Sequence, residues 1–273
     1  MDSFHILNFH SIFSENAFCL SQRLCIDIVD NFNPIEGHTY IVFGGHERAI
    51  ELSVAQTTRH FKYIIINSEP PLSQFLRNKY YISLMKNNIV FDYHELSTKY
   101  LTSLGIRVFS RYVFEFVYQP KHDDAEKDID IFFCGTRTPR RDAIYNLLKK
   151  TYPDKCIVFH FDWKFNDQYQ LTRELHRVKY LLNIPYHNHE IIESHRIHKG
   201  LACGCEVVSL YSGHKESDDF YQNYVHMTHD LIDFFQEENP KKKLGYSHLV
   251  SALSHNTTHN KWIVDKISDL DKK

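Results

Sequence analysis

Three arginines crowd a single turn of this chain. The segment CGTRTPRRD (134–142) reads as a strand end, a Gly-Thr turn and a helix start. Thr138 suits the N-cap and Pro139 the first helical turn. A helix start carries unpaired N–H groups and the positive end of the macrodipole, so it draws anions and disfavours cations. Arg137, Arg140 and Arg141 at that point suggest an anionic ligand, their forked donors matching phosphate oxygens. The plainer reading is a solvated basic turn, with Arg141 paired to a nearby acid.

A second constellation lies at NIPYHNHEIIESHRIHKGLACGCEVVS (183–209). The spacing predicts a strand ending near 185–187 and a helix starting near His189 or Glu190. Glu190, Glu193 and Ile197 then share a face, with both carboxylates in the dipole-favoured first turn. At a strand edge they would accept hydrogen bonds from sugar and ribose hydroxyls. Arg196, three residues after Glu193, would pair with it or meet phosphate. The plainer reading here is a salt-bridged surface helix. His187, His189, His195, His198, Cys203 and Cys205 also fall in this stretch. Neither the Cys-x-Cys nor the His-x-x-His spacing fits a zinc site, so no metal is expected.

Such residues must be held by something, and the apolar pattern supplies it. Strand-like runs at 4–10, 39–45, 62–69, 88–94 and 106–114 alternate with helical patterns near 15–30, 46–58, 72–86 and 95–104. A polar stretch, YQPKHDDAEKD (118–128), interrupts them as a linker would. The alternation restarts with strands at 129–135, 155–161, 179–187 and 205–212. Helices are expected near 139–151, 167–178, 189–203 and 216–235. Short Val/Ile/Phe-rich strands between helices argue for βαβ units and parallel sheets. The expected architecture is α/β, with two tandem Rossmann-like domains at 1–118 and 119–240. Residues 241–273 form a helical tail, patterned as helix over about 246–270, that would cross back to the first domain. Ligands of open α/β sheets bind beyond the carboxyl ends of the strands, so two such domains would share a cleft.

Composition narrows the classes. Of 273 residues, 42% are hydrophobic and 24% charged, as in ordinary globular chains. Lys plus Arg is 32 against 34 acidic residues, so no basic field favours nucleic acid. No apolar run approaches the roughly 18 residues of a membrane-spanning helix, and no secretory signal is expected. The six cysteines are scattered and expected to be reduced, buried thiols in a cytoplasmic protein. No G-x-G-x-x-G, G-x-x-x-x-G-K-[ST] or G-x-S-x-G motif occurs, which argues against nicotinamide enzymes, P-loops and α/β-hydrolases.

The LLNIPYH strand, the E-x-x-E-x-x-R helix, the G-C-x-V-V-S strand and the upstream D-I-D-I-F-F-C-G-T-x-x-x-R-R turn together resemble GT-B fold glycosyltransferases. The nearest in kind are the short ones of bacteria and of large DNA viruses such as chloroviruses, which would place a viral member in the host cytoplasm. The strand ends INSE (66–69) and VFDYHE (90–95) also fit. The resemblance implies transfer of a hexosyl or pentosyl group from a nucleotide-sugar, UDP ahead of other nucleotides, to a glycan or other hydroxyl acceptor. It implies no cofactor and no metal. Thr136, Arg137 and Arg141 would hold phosphate, and Tyr186 and His187 would lie against base or sugar. Glu193 would take the ribose, with Glu190 and Arg196 beside it. Relatives often carry Glu after Val-Val-Ser, where this chain has Leu210, and the retaining pair of Glu eight residues apart is absent. Inversion and retention therefore both stay open.

An inverting transferase needs a general base, because an alcohol is a weak nucleophile. The first domain offers Glu69, Asp92 and His10 at strand ends. Asp92 could instead cap the following helix. The Gly44-Gly45 turn could approach a ligand closely. The alternative to catalysis is a GT-B-like chain that binds nucleotide or glycan and transfers nothing.

Overall fold

Five consecutive buried residues, Thr39–Phe43, make a strand covered on both faces, as the centre of a parallel sheet demands. The computed structural model describes residues 4–29, 33, 35–58, 61–71, 73–110, 126–161, 170–186, 191–237 and 243–255. The chain divides into two compact units, Met1–Phe116 with Val250–Lys273 and Val117–Leu249. Each is described by itself.

The first unit contains strands β1 (Phe4–Asn8), β2 (Asp27–Ile28), β3 (Thr39–Phe43), β4 (Lys62–Asn67), β5 (Ile89–Asp92) and β6 (Val108–Ser110). They form one sheet in the order β2-β1-β3-β4-β5-β6, with every pairing parallel. Helices α1 (Ser14–Leu24), α2 (Ala49–Thr58), α3 (Lys79–Lys86) and α4 (Glu95–Ser103) connect them. Leu7, Val42, Leu52, Ile65, Leu84 and Val90 belong to the core on one face. The chain runs from β1 outward to β2 and then back across to β3. The strand order therefore reverses between β1 and β3, where open α/β sheets bind ligands.

The second unit repeats this plan. Strands β7 (Ile129–Gly135), β8 (Ile157–Phe161), β9 (Val178–Asn183), β10 (Glu206–Leu210) and β11 (His226–Thr228) lie in the order β11-β10-β9-β7-β8, all parallel. Its helices are α5 (Pro139–Thr151), α6 (Gln170–His176), α7 (Ser194–Ala202), α8 (Lys215–Tyr221) and α9 (Leu231–Gln236), while α10 (Tyr246–His255) spans the division between the units at Leu249–Val250. Ile131, Phe133, Leu182, Val208 and Leu231 share a core. The reversal falls between β7 and β9. Both units are thus Rossmann-like α/β layers. No helix among the described residues is long and apolar enough to cross a membrane.

Several expected elements are corrected. The helix drawn over 15–30 stops at Leu24, because Cys25 turns left-handed (φ 53°) and Asp27–Ile28 pairs with β1. The one expected over 72–86 is a short 3-10 turn, Gln74–Arg77, and then α3, whose start is capped by Asn78. That over 216–235 is α8, strand β11 and α9, divided where Tyr224 and Val225 fold back onto Tyr221 and restarted by the Asp230 cap. All six cysteines are free thiols, but Cys25 and Cys156 are exposed rather than buried. Cys156 sits one residue ahead of β8, outside the covered part of the sheet. Most of the linker and the end of the expected C-terminal helix lie outside the described residues.

Candidate functional site

The arginine turn folds as its sequence directs. β7 ends at Gly135, Thr138 caps α5 by accepting from the Arg141 amide (3.2 Å), and Pro139 opens the helix. The Arg141 side chain, however, does not face solvent: only 2% of it is exposed. Its Nη1 donates to the Thr136 carbonyl at 2.8 Å. Its Nη2 donates to the Ile184 carbonyl at 2.5 Å and to Glu193 Oε1 at 2.9 Å. One guanidinium thus ties together the turn after β7, the end of β9 and the approach to α7. Burial pushes its pKa down to about 10, against the pull of Glu193, so it stays charged at neutral pH.

Glu193 anchors this network from the other side. Helix α7 begins at Ser194, not at 189 or 190, and Glu193 stands in its N-cap position without a capping hydrogen bond of its own. The carboxylate is spent elsewhere. Oε1 also accepts from the Tyr186 amide at 3.1 Å, and Oε2 meets Arg196 Nη1. Arg196 in turn donates to Asn183 Oδ1 at 3.0 Å, and Asn183 donates to Ser209 Oγ at 3.0 Å. Burial works against the charge on Glu193, and Arg196 and Arg141 overcome it, holding the carboxyl below its ordinary value. Arg141 and Arg196 lie against the Phe133 ring at 4.8 and 5.0 Å. Gly135 is the residue that fits there, since a Cβ would sit 3.0 Å from Arg196 Nη2 and from Phe133 Cζ.

The outer part of the site remains open. Thr136, Arg137 and Tyr186 are exposed. Arg137 is held by Asp142 at 3.0 Å and lies 5.2 Å from the Phe161 ring. Two buried polar atoms, Arg141 Nε and Ser194 Oγ, meet no hydrogen-bond partner among the described residues. Cys134, at the end of β7, is no nucleophile: burial pushes its thiol up to about 11. His187 and Glu190 lie outside the described residues.

The first unit brings two of its three candidate bases to the β1/β3 reversal and seals the third away. Asp92 is fully buried. Its Oδ2 accepts from Asn67 at 2.6 Å and its Oδ1 from the His94 amide at 2.8 Å. Burial raises its pKa to about 7 despite those bonds. His10 caps the turn Ser11–Phe13, its Nδ1 accepting from the Ile12 amide at 3.2 Å. A neutral His10 therefore carries its proton on Nε2 and offers a donor there. Glu69 follows β4, with Oε2 accepting from Ser73 Oγ at 2.5 Å.

Next to it lies His46, in the turn ahead of α2, where the apolar pattern alone assigns only a helix start. The Gly44-Gly45 turn places it. Gly44 has φ 66°, and a Cβ there would stand 2.8 Å from His10 Cβ. His46 Nδ1 is 3.5 Å from Glu69 Oε1, and its ring is 6.2 Å from that of His10. Burial and then His10 push its pKa down to about 4, so the ring is neutral at ordinary pH. The two adjacent glycines after a strand were the signal that could have found it.

Among the described residues no group of three His, Cys, Asp or Glu side chains is placed to hold a metal ion. No protein-family model and no curated protein matches the chain.

Proposed function

We propose that the chain is a GT-B type glycosyltransferase that moves a sugar from a nucleotide diphosphate donor to a hydroxyl acceptor. The observation that carries this reading is the β7/β9 reversal. There Arg137 pairs with Asp142, and Arg141 and Arg196 pair with Glu193, beside the N-termini of α5 and α7. The excess of guanidinium over carboxylate, together with the amides of two helix starts, favours a ligand bearing phosphate. In this reading Thr136, Arg137 and the α5 amides meet the diphosphate. Arg141 acts from behind by fixing Glu193. A carboxylate has about four acceptor positions, so Glu193 can still take a ribose hydroxyl beside its protein partners. Tyr186 offers an exposed ring to base or sugar.

In the first unit, Glu69 is the base this reading favours. Asp92 is sealed, and the free nitrogen of His10 is a donor. That same scarcity supports a second reading, a chain that binds nucleotide or glycan without transfer. Melting the protein with UDP, GDP and other nucleoside diphosphates tests the donor site. Saturation at 100 times Kd adds about 2.7 kcal/mol of stability. Release of nucleotide from nucleotide-sugars with an acceptor panel then separates enzyme from binder. If no nucleoside diphosphate raises the melting temperature, the transferase reading and the nucleotide-binding reading both fail.

A further inference from the structure

Imidazole has two nitrogens on opposite sides of its ring, and at His46 each one faces a carboxylate. Nδ1 stands 3.5 Å from Glu69 Oε1, and Nε2 stands 3.5 Å from Glu47 Oε1. The three groups run from inside to outside. The side chain of His46 is 5% exposed, that of Glu69 14% and that of Glu47 44%. Phe75 lies against the His46 ring at 4.4 Å, and Tyr81 and His10 are its next ring neighbours, at 6.0 and 6.2 Å. Ser73 holds the other oxygen of Glu69.

A neutral ring has only one N–H, so it cannot donate to both carboxylates at once. Glu47 and Glu69 compete for it. If the proton is on Nε2, it points to Glu47, and the Nδ1 lone pair confronts the Glu69 carboxylate. That contact is unfavourable while Glu69 is ionised. It becomes a hydrogen bond, carboxyl O–H to Nδ1, once Glu69 has taken up a proton. Both separations, 3.5 Å to Glu47 and 3.5 Å to Glu69, are long for a formed hydrogen bond, and an N–H turned to the more exposed Glu47 is the arrangement that leaves Nδ1 to accept from Glu69.

We propose that His46 is a positioning residue for Glu69, with its tautomer fixed by Glu47, and that it stabilises Glu69 only in the protonated form. The inference rests on the transferase reading and names the group that makes Glu69 work there. In the transfer step the acceptor oxygen bonds to the sugar carbon as its O–H bond breaks. The proton passes to Glu69, and the nucleotide leaves with the electrons of the glycosidic bond. Glu69 then donates that proton to Nδ1 as a hydrogen bond. When product departs, Glu69 returns the proton to water, and the Nε2–H stays with Glu47 throughout. An interaction formed only as the proton arrives lowers the barrier without tightening ground-state binding. Burial keeps the ring neutral and its Nδ1 lone pair available, in agreement with the geometry.

The test is made on the full chain. Nitrogen-15 NMR at pH 7, with the His46 signals assigned by their loss in His46→Asn, should show a neutral ring protonated at Nε2. In Glu47→Gln that preference should weaken. In kinetics, His46→Asn should lower kcat about 10- to 100-fold, the worth of one hydrogen bond to a charged or protonating group. Donor Kd should stay unchanged, and the acid limb of the kcat/KM pH profile should move. Glu47→Gln, at an exposed position, carries the kinetic test if His46→Asn does not fold, with a several-fold loss expected. A ring protonated at Nδ1, or a folded His46→Asn with full kcat and an unmoved pH profile, overturns the inference while leaving the transferase reading intact. No turnover by the intact chain with any nucleotide-sugar overturns both.

Discussion

Arg141 and Glu193 meet at 2.9 Å with the guanidinium almost wholly buried, 52 residues apart in sequence and on opposite sides of the strand-order reversal. The pair joins the turn after β7 to the approach to α7. Each partner was expected to touch ligand directly. In the fold each also satisfies the other, and Thr136, Arg137 and Tyr186 are exposed beside them.

Arg141→Ala should therefore damage the fold before it damages binding. Removing one partner of a buried pair leaves the other charge uncompensated and costs about 3–5 kcal/mol. The carbonyls of Thr136 and Ile184 lose their donor as well. At roughly 2–4 °C per kcal/mol for a chain of this size, the melting temperature should fall by about 10 °C. Arg141→Lys should recover little, because an ammonium cannot reproduce the planar fork. Calorimetry finding either variant within 2 °C of the intact chain would refute this role.

Glu193 should leave a signature in the pH dependence of stability. Its folded pKa lies below the ordinary value of 4.5, so the folded state binds fewer protons than the unfolded chain in that range. The stability it contributes is complete above the unfolded value and is lost as pH falls through the lower folded one. Melting temperature should drop on acidification below about pH 4.5. Glu193→Gln should be less stable at pH 7 and should lack this part of the acid slope. Equal acid slopes in the two proteins would show that the pairing contributes nothing.

The sequence carried the frame better than the site. Periodicity placed α5 and the central strands, because buried parallel strands are short, continuous apolar runs with little else they can be. It missed β2 and β11, two and three residues long, since pairing at a sheet edge and not local pattern defines them. The arginine cluster was legible as a site because Thr138 and Pro139 fix a helix start. That Arg141 turns inward was not, for its partners Ile184 and Glu193 lie more than 40 residues away. His46 escaped for the same reason, since Glu69 reaches it across the sheet. Asp92 looked like an accessible strand-end acid, and only the three-dimensional fold shows Asn67 and the His94 amide closing over it.

Asp92 should make the chain less stable as pH rises. Its folded pKa, about 7, lies above the ordinary value of 3.8, so between those values the folded state binds more protons than the unfolded one. The contribution is complete below the unfolded pKa and is lost as pH rises through about 7, by on the order of a few kcal/mol. In Asp92→Asn the melting temperature should lose this decline between pH 4 and 7. A decline that persists unchanged in the variant would assign it to other groups.

Gly200 should tolerate no side chain. It lies in α7 against β9, and a Cβ would stand 2.3 Å from Leu181 Cδ2 and 3.0 Å from Val207 Cγ2. Overpacking of this kind costs about 1–3 kcal/mol. Gly200→Ala should lower the melting temperature by several degrees although alanine is the better helix former. A stabilised variant would mean that Leu181 moves aside freely.

The three candidate bases should separate cleanly in kinetics. Asp92 is sealed from any hydroxyl, so Asp92→Asn should keep transfer within a few-fold of the intact chain. His10 presents an Nε2–H donor because the Ile12 amide occupies its Nδ1. His10→Asn keeps a capping acceptor at that position and should also retain most of the rate. Glu69 has a carboxylate at the end of β4, oriented by Ser73 and next to His46. Glu69→Gln preserves the shape but cannot take a proton, and should lose about 10²–10⁴ in kcat, the usual worth of a positioned acid–base group. Donor affinity, read by nucleotide titration, should remain within a factor of a few in all three. A Glu69→Gln enzyme with full kcat would remove Glu69 as the base, and a large loss in His10→Asn at unchanged stability would shift that role to the imidazole.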